Sequence, residues 1–134
     1  MEATNFRTLP KAGANGDACS FTSSFTFAAH AIGTRVEWAK LPPGTELQEV
    51  VLVTDALGAS STLGVGELFD STADGTTAAA SLTAAASTAS AGRIESAFHP
   101  RTYQAPVTIT STVAGAAVTG KVTAIIKYRY IGTN

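Results

Sequence analysis

Residues 121–131, KVTAIIKYRYI, place Val122, Ala124, Ile126, Tyr128 and Tyr130 on one side of an extended chain and Lys127 and Arg129 on the other. A period of two marks a strand with one buried face; a helix would scatter the same residues around its axis. The segment just before it repeats the pattern. Val107, Ile109, Ser111 and Val113 alternate with Thr108, Thr110 and Thr112, and AGAAVTG (114–120) supplies the turn region between the two runs. Further upstream, LQEVVLVT (47–54) is the most β-branched stretch of the first half and reads as a central strand. Between Ala59 and Phe69, Leu63, Val65 and Phe69 point inward. Gly64 and Gly66 share the other face, where a bulge or a closely approaching backbone fits.

The N-terminal third alternates too. Phe21, Ser23, Phe25 and Phe27 oppose Thr22, Ser24 and Thr26, and Gly33 closes that run. Val36 and Trp38 fall together in the next one, which stops at Leu41-Pro42-Pro43-Gly44, because proline lacks a backbone donor and disfavours helix before it. TTAAASLTAAASTASA (76–91) breaks the alternation. Ala78, Leu82, Ala85, Ala86 and Ala89 have helical spacing, with Gly92 placed to end one short Ala-rich helix. The many Ser and Thr leave a flexible loop as the alternative. Some seven short strands with frequent turn signals and at most this one helix define an all-β chain, an antiparallel β-sandwich of jelly-roll type. Its buried set is expected to include Phe25, Phe27, Val51, Val53, Leu63, Val65, Phe69, Ile109, Val122, Ala124 and Ile126.

A chain of 134 residues has room for one core. Residues 1–19, with Pro10, Gly13 and the Asn15-Gly16 turn signal, read as an extended arm preceding a single domain over 20–134. Phe6 and Leu9 are its apolar anchors, too few to offset the cost of ordering the arm alone, so they are expected to bind a partner. Charged residues make up only 14%, nearly balanced at a net charge of −1, which offers no basic footprint for nucleic acid or an anionic membrane. A surface so poor in charge suits packing against other subunits, and a homodimer or trimer is expected. No basic n-region with an apolar run opens the chain and no stretch is long enough to span a membrane, so folding in a cytoplasm is expected. Cys19 is the lone cysteine, which rules out an intrachain disulfide.

Motifs that could carry chemistry fall short one by one. GAAVTGK (115–121) has the spacing of a phosphate-binding loop, but Val122 stands where a magnesium-binding hydroxyl belongs and a strand follows instead of a helix. Asp70 to Gly75 resembles half a calcium loop, yet Ser81 takes the place of its closing glutamate. His30 and His99 lie far apart in sequence, Cys19 has no basic neighbours, and no nucleophile elbow surrounds any serine. Trp38, Tyr103, Tyr128 and Tyr130 could stack sugars, although alternation within strands favours core or interface packing. No catalytic residue, metal, cofactor or small-molecule substrate is expected.

One resemblance bears on function. LPPG (41–44) leads into EVVLVTDAL (49–57), followed by LGVG (63–66), ASAGRI (89–94), YQAPVTIT (103–110), TGKV (119–122) and YRYI (128–131). This order resembles the β-sandwich or jelly-roll decoration (cement) proteins of tailed bacteriophages over residues 41–131. The resemblance implies a virion protein on the capsid surface, with the major capsid protein and its own copies as partners. A tail- or fibre-associated adhesin or carbohydrate-binding module is the alternative; exposed aromatics on one sheet face would favour it.

Overall fold

The period-two segments become strands throughout. The computed structural model describes residues 2, 3, 6, 18–69, 78–96, 98 and 100–131. It contains β1 (Ala18–His30), β2 (Arg35–Leu41), β3 (Thr45–Thr54), β4 (Thr62–Phe69), β5 (Ala78–Ser87), β6 (Gly92–Glu95), β7 (Arg101–Thr102), β8 (Val107–Ala114) and β9 (Val118–Tyr130). The named strands pair antiparallel. With the two-residue β7 set aside, four of the pairings nest: β4 with β5, β3 with β6, β2 with β8, and β1 with β9. Successive nested pairs go to opposite sheets, giving the orders β1-β9-β3-β6, with β7 beside β3, and β2-β8-β4-β5. A long antiparallel ribbon folded back and wrapped around its own apolar side produces this order, which is a jelly roll.

The inward rows fill the space between the sheets. Val122, Ala124, Ile126 and Tyr128 of β9 face a core that also takes Phe27, Val36, Trp38, Leu52, Leu63, Val65 and Ile109. Trp38 is fully buried and its indole N–H donates to Ser111 Oγ at 2.8 Å, so the ring contributes its large apolar area without an orphaned donor. A register irregularity between Glu37 and Ala39 lets Trp38 and Ala39 both be buried. The Pro42-Pro43 stop is a turn in which Gly44 takes a positive φ of 86° and Thr45 Oγ1 donates to the Pro42 carbonyl at 2.7 Å.

Three expectations change. The segment expected as a helix or flexible loop over 76–91 contains β5, paired with β4 through Thr62–Ser87, Leu63–Ala86, Val65–Thr83 and Glu67–Ala78. A strand edge offered by β4 outweighs the weak helix preference of a stretch so rich in Ser and Thr, and Gly92 opens β6 instead of ending a helix. The shifts in this pairing flank Gly64 and Gly66, where the sequence allows a bulge. Val53 is 40% exposed, because β3 is apolar on both faces and Val53 belongs to the outer one, opposite Thr123 and Arg93. Phe25 and Phe69 pack against the rim of the core and stay half-buried. The other residues of the expected core are buried.

Candidate assembly surfaces

Residues singled out for possible chemistry are absorbed by the fold or lie outside the described residues. Gly115 to Lys121 forms the β8–β9 turn and the start of β9, with no helix behind it. His30 ends β1 against the edges of Phe25 and Phe27, each with its ring centre 5.4 Å away, and its Nδ1 accepts the Ala28 N–H at 2.8 Å. Cys19 is half-buried and packs against the core. Asp70 to Gly75, His99 and Leu9 lie outside the described residues. Among the described residues no group of three or more His, Cys, Asp or Glu is placed to hold a metal ion.

Among the described residues one carboxylate is fully buried, and its contacts join the two sheets. Glu67 of β4 is 1% exposed; Arg101 Nη1 donates to its Oε1 at 2.7 Å and the Tyr103 hydroxyl donates to its Oε2. Arg101 also lies over the Tyr103 ring, 5.6 Å from its centre. Because β4 belongs to one sheet and β7 to the other, these bonds tie the two layers together at one end of the sandwich.

What remains for recognition is surface. Most charges on β3, β6 and β9 are matched within the chain: Arg129 Nε contacts Glu46 at 2.9 Å, Lys127 Nζ contacts Glu49 at 3.8 Å, and Arg93 Nε contacts Glu95 at 3.1 Å. The Arg129 guanidinium first, and the Gln48 amide second, hold the Glu46 carboxyl below its ordinary range despite some opposing desolvation. A lowered folded pKa stabilises the protein at neutral pH, and the gain is lost as acid brings the pH down through that lowered value. A Glu46→Gln variant is therefore expected to be less stable than the parent above about pH 5. The difference is at most about 1 kcal/mol because Arg129 stays wet, and it should vanish in acid. Urea titrations across pH check this; a gap that persists in strong acid contradicts it.

β1 offers a different surface beside these matched charges. Its outer row, Ser20, Thr22, Ser24 and Thr26, lies next to Lys127, Ile125, Thr123 and Lys121 of β9. β1 stands at the edge of its sheet. The start of the chain lies against the other sheet: Glu2 bridges to Glu37 of β2, the Ala3 N–H donates to the Glu37 carbonyl at 2.9 Å, and Ala3 is buried in the core. Phe6 is half-buried, and its N–H donates to the Ala3 carbonyl at 3.0 Å.

No protein-family model matches the chain, and no curated protein matches it in sequence. Solved structures do match. A chain of the cyanophage Pam1 capsid asymmetric unit superposes with a TM-score of 0.69 at 21% identity, covering 92% of this chain and 91% of that one. A chain of the capsid of Ralstonia phage GP4 gives 0.63 at 20% identity, covering 94% and 90%. A chain of the acid-stable capsid of Helicobacter pylori bacteriophage KHP30 gives 0.58 at 20%, covering 86% and 89%. At these identities the likeness is one of fold. The jelly roll described above is the fold of chains found in three phage capsids.

Proposed function

We propose that this chain is a non-enzymatic structural protein of a phage virion. In this reading it is a decoration, or cement, protein that binds the outside of the head, bridges neighbouring major capsid subunits and associates with its own copies. The observation that carries the reading is the two-way coverage: some nine-tenths of this chain superposes on some nine-tenths of a chain in the Pam1 and GP4 capsids, so each of those chains is little more than this one domain. Bridging subunits requires complementary surface and satisfied strand edges and no reaction chemistry, which agrees with internally matched charges and a neutral β1. Among the described residues no exposed aromatic supports the carbohydrate-binding alternative: Trp38, Tyr103 and Tyr128 are buried and Tyr130 is half-buried.

Purified chain added to heads assembled without it is expected to bind saturably. Cryo-electron microscopy is then expected to show it at symmetry-related positions on the outer surface. Density confined to the tail, or no binding at all, overturns the reading.

The arm takes part in this proposal. Ala3 packs in the domain's own core and β1 begins at Ala18, so the partner-binding element proposed here is the stretch between them, with Phe6 and Leu9 as anchors. Burying one such side chain is worth about 1.5–3 kcal/mol. Phe6→Ser combined with Leu9→Ser should therefore weaken head binding by at least about tenfold. The thermal midpoint of the free domain should move much less. Binding at full strength by the double variant would reduce the arm to a tether.

A further inference from the structure

The strands run between two ends of the sandwich, and the connections at one of these ends are almost without charge. Four of them meet there: 31–34 between β1 and β2, 55–61 between β3 and β4, 88–91 between β5 and β6, and 115–117 between β8 and β9. Their sequences are AIGT, DALGASS, TASA and GAA, in which Asp55 is the sole charged residue. Its Oδ2 already accepts the Lys121 N–H at 3.0 Å. Hydrogen bonds brace the four against one another. The Gly33 N–H donates to the Val113 carbonyl beside the β8–β9 turn at 2.8 Å, the Thr119 N–H to the Leu57 carbonyl at 3.1 Å, and the Leu57 N–H to the Thr88 carbonyl at 2.8 Å. The Ser61 and Thr88 hydroxyls share a hydrogen bond at 2.6 Å. Ala29 and Ser60 hold φ of 53° and 64°, left-handed conformations that persist only where the surroundings fix them. From this braced, neutral ground stands Ile32, 60% exposed, the most exposed large apolar residue among those described. Ala31, Ala59, Ala89 and Ala117 are exposed with it.

We propose that this end is the contact surface for a second copy of the chain, the two copies meeting end to end about a two-fold axis. This rests on the reading that copies of the chain associate, and names the surface. Charge selects the occupant. No basic residue lies in the four connections, so they offer nothing to nucleic acid or to an anionic membrane. Neutral connections meet no like charge when they meet themselves, whereas the β2 edge set against its own copy would bring Arg35, Glu37 and Lys40 into one narrow row. An isologous contact lets Ile32 of each copy lie on the exposed alanines of the other. Because the connections are already braced, little ordering is left to oppose binding. The place of the arm agrees. β1 begins at Ala18, paired with Arg129 near the far end of β9, so the stretch proposed to bind the head enters the domain at the opposite end. β9 is 13 residues long, roughly 40 Å at about 3.3 Å per residue. Two copies joined end to end therefore hold their arms roughly 80 Å apart, facing two separate sites on the head.

The test places charge at an exposed turn position that the core does not use. Four full-length proteins are compared by sedimentation at micromolar concentration: the parent, Ile32→Glu, Ile32→Lys and Ile131→Glu. The parent should be a dimer. Each Ile32 variant should dissociate at least tenfold more readily while keeping its strand circular dichroism, because a charge buried without a partner is strongly disfavoured. Ile131 is 46% exposed and follows β9 at the opposite end, where its N–H donates to the Gly44 carbonyl at 2.9 Å, so Ile131→Glu should leave the dimer intact. A monomeric parent, a dimer indifferent to both Ile32 variants, or equal dissociation by Ile131→Glu overturns the proposal. Head binding measured on the same samples separates this inference from the decoration role. A parent that binds heads but never dimerises sinks only the end-to-end contact, and a dimer that binds no head sinks only the decoration role.

Discussion

Replacing Glu67 with alanine is expected to lower the thermal midpoint by roughly 10–20 °C. Glu67 is buried, and both its oxygens are engaged, one by Arg101 and one by Tyr103. Glu67→Ala leaves a cavity where a fully buried side chain stood and takes an acceptor from the buried Tyr103 hydroxyl, together about 3–5 kcal/mol. For a domain of this size each kcal/mol corresponds to roughly 3–5 °C. The loss should be unequal across the cluster. Arg101→Ala takes the cation from a carboxylate that is 1% exposed and that water reaches poorly, so a cost of about 3–5 kcal/mol is expected there too. Tyr103→Phe keeps the ring packed near Phe69, 6.1 Å between centres, and removes one hydrogen bond, about 1–2 kcal/mol. Differential scanning calorimetry of the three variants measures the ranking. A Glu67→Ala midpoint within a few degrees of the parent would mean that the cluster does not tie the sheets.

The second large effect belongs to the β8–β9 turn. Gly115 has φ of 79°, and a β-carbon built on it would stand 2.1 Å from the Ser60 carbonyl oxygen and 3.2 Å from the Ser60 carbonyl carbon. Both are backbone atoms, so no side chain can swing away to make room. Gly33, in the β1–β2 turn, has a similar φ of 92° but nothing within 4 Å of the same construction. The pair separates two costs. Gly33→Ala should cost about 1–2 kcal/mol for the left-handed backbone alone. Gly115→Ala adds a clash that only a shift of the Ser60 loop can relieve, and should cost several kcal/mol in total, in the range of severe single substitutions. Urea unfolding of both variants gives the comparison; equal losses would show that the Ser60 loop yields freely.

These two sites also show what a sequence can and cannot disclose. The alternation of β9 is legible because that strand buries one face, whereas β8 alternates in chemistry although both of its faces are buried from Val107 to Ser111. The position of Glu67 was legible too: it shares parity with Leu63, Val65 and Phe69, so an inward carboxylate stood in plain sight among inward apolar residues. Its partners were not, since Arg101 and Tyr103 reach it only through the pairing of β7 with β3. The Ala-rich stretch misleads because alanine carries almost no periodic signal, and only the neighbouring edge of β4 decides between helix and strand. Val53 misleads for the opposite reason. Four apolar residues in a row, Val50 to Val53, give both faces of β3 the same appearance. Assembly surfaces were the least legible, because four short neutral connections read as ordinary turns until the fold gathers them at one end.

The nesting of the strands sets an order in time. β4 meets β5 within a short stretch of chain, whereas β1 pairs with β9 through contacts such as Ala18 with Arg129 and Phe25 with Val122, near opposite ends of the polypeptide. Contacts that close long loops form late, since the entropy of closure must be met before the contact gives anything back. On the ribosome a strand made early is therefore seated late: among the described strands, β1 pairs within its sheet with β9 alone, whose residues are synthesised some ninety positions later. During that interval the edge that β9 will cover is open on an uncharged, phenylalanine-bearing strand, the condition under which nascent chains aggregate or exchange strands. Crowding among chains being translated side by side is thus the moment at which this fold is most exposed to error.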